Sequence, residues 1–199
     1  MPGQKVLIQP RGIRILHWLL AFGLVALLLS GLYIHSPFIT APYVTLRTAQ
    51  IIQLGAGFIT AGIVALRLYY ALVTGDYKNI MFKPADFKEF IKLIKYYLFL
   101  AQKEPPHKKY NAGQKLIFTS WLIAFLFQFC TGLLLYYPVW VNNHPFFGHL
   151  QTIRFYHYLV ALWFLATLPI HVYLVLTGDP GRLQAIFTGW ARLAKPKGS

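Results

Sequence analysis

Residues 15–35 read ILHWLLAFGLVALLLSGLYIH. The stretch holds no Asp, Glu, Lys or Arg, and its length matches the roughly 20 apolar residues a helix needs to cross the hydrocarbon of a bilayer. It is too long for the apolar region of a cleaved signal, and no small-residue cleavage site follows it. Ile15–His35 is therefore read as a permanent membrane span. Outward from it, the same reading applies to Ile51–Val73, Leu116–Tyr137 and Phe155–Leu176. Apolar residues make up 57% of the 199-residue chain and charged residues 12%, about half the charge of a soluble domain. The expected fold is an all-α membrane protein: a four-transmembrane-helix bundle, one domain over residues 1–199.

The net charge of +14 invites a nucleic-acid reading, but its distribution argues against one. With four spans, both ends and the 74–115 loop share one side. That side carries 17 of the 19 Lys and Arg residues, and only Arg47 and Arg154 lie opposite. The excess of cations on one side places both termini and the long loop in the cytoplasm. A solvated basic rim beside anionic lipid accounts for the charge, so no nucleic-acid partner is expected. The single Cys130 sits mid-helix, which excludes a disulfide framework or a cysteine metal site.

The first ten residues read as a short polar tail, and Arg11 and Arg14 mark the membrane edge. The second span is rich in small residues (Gly55, Ala56, Gly57, Ala61, Gly62), which permits close helix packing. In the cytoplasmic loop, Pro84 opens a stretch where Phe87, Phe90, Ile91, Ile94, Tyr97 and Leu98 recur at helical spacing. Lys88, Lys92 and Lys95 fall on another face. This is a basic amphipathic helix in the plane of the interface, in contact with membrane lipid. The Gly178-Asp179-Pro180-Gly181 run stops the last span.

An ionisable residue inside a span is costly, and so marks a functional site. None of the four spans contains Asp, Glu or Lys, which argues against a proton-coupled transporter; histidine is the main titratable group left. Neutral imidazole is a ligand of haem iron, which apolar helices can enclose. His157 and His171 lie 14 residues apart on one helix, about 40° short of four whole turns and roughly 21 Å along the axis. One helix thus offers a ligand near each membrane surface. His17, at the inner end of the first span, matches the depth of His171, so the two can clamp an inner haem. The competing reading is two inward-facing histidines that only hydrogen-bond.

These residues resemble the cytochrome b (gamma) subunit of membrane-bound formate dehydrogenase, and are similar to the b-type cytochrome of nickel–iron hydrogenase. The resemblance covers nearly the whole chain. It rests on Arg14-Ile-Leu-His17-Trp18, Lys109-Tyr-Asn-Ala-Gly-Gln-Lys115, and His157 with His171-Val-Tyr173. The 109–115 stretch favours the formate dehydrogenase branch. The 157–163 stretch and Thr188-Gly-Trp190 also resemble the hydrogenase branch. The resemblance implies a subunit of the bacterial or archaeal inner membrane with one or two haems b. An iron–sulfur subunit, beside a molybdopterin or nickel–iron catalytic subunit, would deliver electrons from the periplasm. Menaquinone or ubiquinone would accept them near the cytoplasmic face, in a higher oligomer of the whole complex. Carried over by residue, His17 and His171 are the inner-haem ligands and His157 one outer ligand. Asn111, Gly113 and Gln114, with His171, line the quinone.

One position departs from the pattern. Where the family has the second outer-haem histidine, near the start of the second span, this chain has Gln50. His35, five whole turns after His17, is one replacement. His144 or His149 from the outer loop is another, and a five-coordinate or absent outer haem is the third. A haem-free scaffold anchoring a peripheral enzyme, and a small transporter, remain as readings of other classes.

Overall fold

The computed structural model describes residues 5–38, 43–106, 110–144, 148–177 and 180–192. In chain order the elements are β1 (Lys5–Leu7), α1 (Arg11–His35), α2 (Leu46–Thr74), α3 (Tyr77–Ile80), α4 (Asp86–Tyr97), α5 (Ala112–Tyr136), α6 (Pro138–Asn142), α7 (Leu150–Thr177), α8 (Pro180–Thr188) and β2 (Trp190–Arg192). Helices α1, α2, α5 and α7 are long and apolar enough to span a membrane, as the sequence requires. Each begins some four or five residues before the expected span, because the polar residues at its entrance are helical too. Exposed large apolar side chains such as Phe22, Leu29, Ile59 and Ile123 run along these helices, a surface that hydrocarbon tolerates and water does not.

The chain forms two compact units, Met1–Ile63 with Ala161–Ser199, and Val64–Val160. In the first, the expected polar tail is instead an ordered strand. β1 pairs antiparallel with β2, Lys5 opposite Arg192 and Leu7 opposite Trp190. Between α8 and β2, Gly189 takes φ 90°, and its carbonyl accepts from Ile8 N–H at 3.0 Å and Gln9 N–H at 3.1 Å. A Cβ there would lie 2.9 Å from the Gln9 carbonyl oxygen, so only glycine fits this crossing.

The last carbonyls of α8 have no helical partners of their own. The Arg14 guanidinium donates to Phe187 O, and the Trp18 indole N–H reaches Ile186 O at 3.4 Å. The Trp18 ring also packs on Phe187, with centroids 5.1 Å apart. This gives the Arg14–Trp18 motif a local role, holding α8 and the β pair against the first turns of α1. At the other end of α1, Ser30 Oγ meets Gln53 Oε1 of α2, and Tyr33 O–H donates to Val44 O at 2.7 Å.

In the second unit, Arg67 pairs with Asp76 at 2.9 Å just beyond α2. The expected loop helix is present as α4, starting at Asp86, two residues past Pro84. It is fastened to the start of α5. Lys115 Nζ lies 2.7 Å from Asp86 Oδ1, and Phe82 N–H donates to Thr119 Oγ1 at 2.8 Å. A Cβ on Gly113 would come 3.0 Å from Leu93 Cδ2, so the missing side chain admits the buried Leu93. Desolvation pushes the Asp86 carboxyl up, but its hydrogen bonds to Lys115 and to Lys83 N–H outweigh this and hold it below the ordinary range. The 178–179 helix stop and Lys109 lie outside the described residues; α7 ends at Thr177 and α8 begins at Pro180.

Candidate functional site

In the first unit, α1 and α7 bring two imidazoles together. The rings of His17 and His171 have centroids 6.5 Å apart and planes inclined at 52°. Both side chains are half-buried. Trp18 meets His17 edge-on at 5.5 Å. Two imidazoles on opposite sides of one metal, each bonded at about 2.0–2.1 Å, place their ring centres roughly 6 Å apart. The observed spacing fits that arrangement and is too wide for a direct hydrogen bond to be the reason for the pairing.

Among the described residues, no three His, Cys, Asp or Glu side chains converge on a point. Two imidazoles suit an iron whose other ligands come from a porphyrin. The donor set, two imidazoles in an apolar surround, fits haem b.

His157 belongs to the second unit, on the first turns of α7. Its Nδ1 lies 2.8 Å from Thr131 Oγ1 on α5. The same hydroxyl lies 2.8 Å from Phe127 O. A hydroxyl has one proton. Given to Phe127 O, it leaves Oγ1 as acceptor, so His157 carries its proton on Nδ1 and keeps the Nε2 lone pair free. A metal-ligating histidine requires that tautomer, fixed by the partner of its other nitrogen. Gln128 Nε2 donates to the His157 carbonyl at 3.0 Å, tying the same turn of α7 to α5. A Cβ on Gly132 would sit 3.6 Å from His157 Cε1, an ordinary van der Waals contact.

Thr131 and Gln128 were absent from the residues singled out in the sequence. The available signal was modest: two polar side chains three apart, hence on one face, inside an otherwise apolar span.

The remaining candidates are exposed or serve local structure within their own units. His35 is exposed on the last turn of α1, and Gln50 is exposed on the first turns of α2. His144 is exposed, stacked on Trp140 at 4.3 Å, with Nδ1 2.8 Å from Trp140 O. His149 is exposed, and its carbonyl caps α7 by accepting from Thr152 N–H at 2.9 Å.

Asn111 and Gln114 form a capping box at the start of α5. Asn111 Oδ1 accepts from Gln114 N–H at 2.9 Å, and Gln114 Oε1 accepts from Asn111 N–H at 3.1 Å. Both side-chain oxygens thus serve the helix end. Asn111 Nδ2 lies 3.5 Å from Glu104 Oε1. Asn111 is buried, and Gly113 makes room for Leu93.

Residues 8–189 match the family model described as prokaryotic cytochrome b561. Among curated proteins, the chain is similar to a probable Ni/Fe-hydrogenase B-type cytochrome subunit of Rhizobium leguminosarum bv. viciae, 25% identical with 93% of this chain and 86% of that protein aligned. A protein of the same description from Azotobacter vinelandii is 26% identical over 89% of this chain and 85% of its own length. Another, from Cupriavidus necator, is 25% identical over 88% and 81%.

Proposed function

From this chain's membership of the prokaryotic cytochrome b561 family, we propose that it is the membrane electron-transfer subunit of a respiratory hydrogenase, passing electrons to quinone. At the coarser level the chain is a multi-pass membrane protein and a b-type cytochrome subunit. The observation that carries the finer reading is the His17–His171 pair, drawn from the first and last spans to a spacing suited to one iron.

In this reading His17 and His171 hold the inner haem b, and His157 holds a second near the outer end of α7. When bound, haem b supplies a one-electron carrier at each site. Thr131 keeps the His157 ring in the ligating tautomer, and the apolar spans exclude water from both sites. The basic inner rim sets both termini in the cytoplasm.

Quinone takes two electrons and two protons to become quinol. As its carbonyl oxygens gain charge they need hydrogen-bond donors, for which the side-chain amides of Asn111 and Gln114 are the candidates. Their oxygens, engaged in the cap, hold the amide planes in place. Gly113 serves this segment by seating α4.

The relatives' hydrogenase descriptions favour a nickel–iron catalytic subunit over the formate dehydrogenase branch as electron donor, with an iron–sulfur subunit between. The purified complex should show a b-type α-band that appears on adding hydrogen. Reduction by formate instead would transfer the donor to the other branch. The absence of any b-type band would end the electron-transfer reading and leave a haem-free anchor.

A further inference from the structure

Helix α4 carries three stripes rather than two. Asp86 and Leu93 are buried against their own unit. One step round the helix, Phe87, Ile91, Ile94 and Leu98 follow at i, i+4, i+7 and i+11, and all four are exposed. The next stripe is Lys88, Lys92 and Lys95. An apolar face open to the surroundings thus runs beside a basic one.

The chain leaves α4 by a Schellman turn, with Phe99 N–H on Tyr96 O at 3.0 Å and Leu100 N–H on Lys95 O at 2.8 Å. The turn puts Phe99 at φ 60°, a conformation that glycine adopts without cost and other residues do not. Its ring is 96% exposed. Phe99 thus strains its backbone with almost no burial among the described residues, which suits a ring that packs on lipid.

Beyond the turn, residues 101–106 and the basic stripe line an open cavity of about 270 Å³, with Lys92, Lys95, Lys103 and Glu89 on its walls beside Pro105 and Pro106. Three ammonium groups against one carboxylate leave the lining at a charge of +2. The ion pair of Lys115 with Asp86 and the seat of Leu93 on Gly113 fix α4 at the first turns of α5, where that span enters the hydrocarbon. Phosphate beside hydrocarbon is what a phospholipid offers at that depth.

We propose that this cavity binds the phosphate of an anionic phospholipid, whose acyl chains lie along the Phe87–Leu98 stripe and over Phe99. The site is independent of the haem and quinone assignments and rests only on α5 being a membrane span.

The test is native mass spectrometry of the full chain in neutral detergent, titrated with dioleoyl phosphatidylglycerol, dioleoyl phosphatidylcholine or inorganic phosphate. Wild type should hold the anionic lipid at least about 10-fold more tightly than the zwitterionic one, and millimolar inorganic phosphate should not displace it. The Lys92→Gln/Lys95→Gln/Lys103→Gln variant should lose that preference. Lys88→Gln, on the same stripe but outside the cavity, should keep it. Phe99→Gly should weaken lipid retention while its thermal stability in lipid-free detergent holds or rises. Equal retention of the two lipids, an unchanged triple variant, or displacement by inorganic phosphate alone would overturn the proposal.

Discussion

Thr131 Oγ1 on α5 and His157 Nδ1 on α7 are 2.8 Å apart, and with the hydroxyl proton given to Phe127 O this bond leaves Nε2 of His157 unprotonated. Thr131→Val keeps the shape and removes the acceptor. Losing such an orienting partner typically costs 10–100-fold in metal affinity. Haem retention during gel filtration, followed by absorbance, should fall selectively for the His157 site, leaving the His17–His171 site filled. Full retention at both sites would mean that packing alone orients the ring.

Gly189 is required by its backbone. Gly189→Ala forces a side chain into φ 90° and against the Gln9 carbonyl, a strain of about 1–3 kcal/mol. Thermal unfolding in detergent should shift down by several degrees. Proteolysis should open the N-terminal strand first, since both crossing bonds, to Ile8 and Gln9, run through this residue.

The Asp86–Lys115 pair makes the seating of α4 sensitive to acid. The Asp86 carboxyl titrates below its ordinary value, chiefly because the Lys115 and Lys83 hydrogen bonds outweigh desolvation. A depressed carboxylate contributes stability that is complete above its unfolded value of about 3.9 and is lost as the pH falls through the lower folded value. Hydrogen-exchange protection factors over residues 86–97 should therefore be flat above about pH 5 and fall below about pH 4. In Asp86→Asn that slope should vanish.

Asn111 has a demonstrated role at the helix end and a proposed one toward quinone, and substitution can separate them. Asn111→Ala removes the cap, at about 1 kcal/mol. Asn111→Ser keeps an oxygen for the Gln114 N–H and removes only the amide donor. The account expects the serine variant to retain thermal stability and haem while quinone turnover falls several-fold. Normal turnover in that variant would confine Asn111 to capping.

The sequence made the four spans legible because hydrocarbon imposes length and composition together, and charge asymmetry added their expected orientation. The His17–His171 pair followed from helix rise and depth. The capping box was visible as Asn111 and Gln114, three residues apart ahead of an apolar run, although its structural function competes with the chemical one. The β1–β2 pair was hidden, because three-residue strands from opposite ends of the chain carry no periodicity. The tie from Arg14 and Trp18 to α8 was equally hidden, since it is made to backbone carbonyls. Thr131 was obscured by its surroundings: an apolar span buries its signal in bulk hydropathy, and its importance appears only when α7 brings His157 alongside.

The most direct test of the central claim is the haem-to-protein ratio, measured by pyridine haemochrome on purified wild type and on His17→Ala, His171→Ala and His157→Ala. The account predicts about two haems in wild type. Either inner variant should lose one together with quinone reduction, and His157→Ala should lose the other. A His171→Ala protein that kept its full haem complement and reduced quinone normally would contradict it.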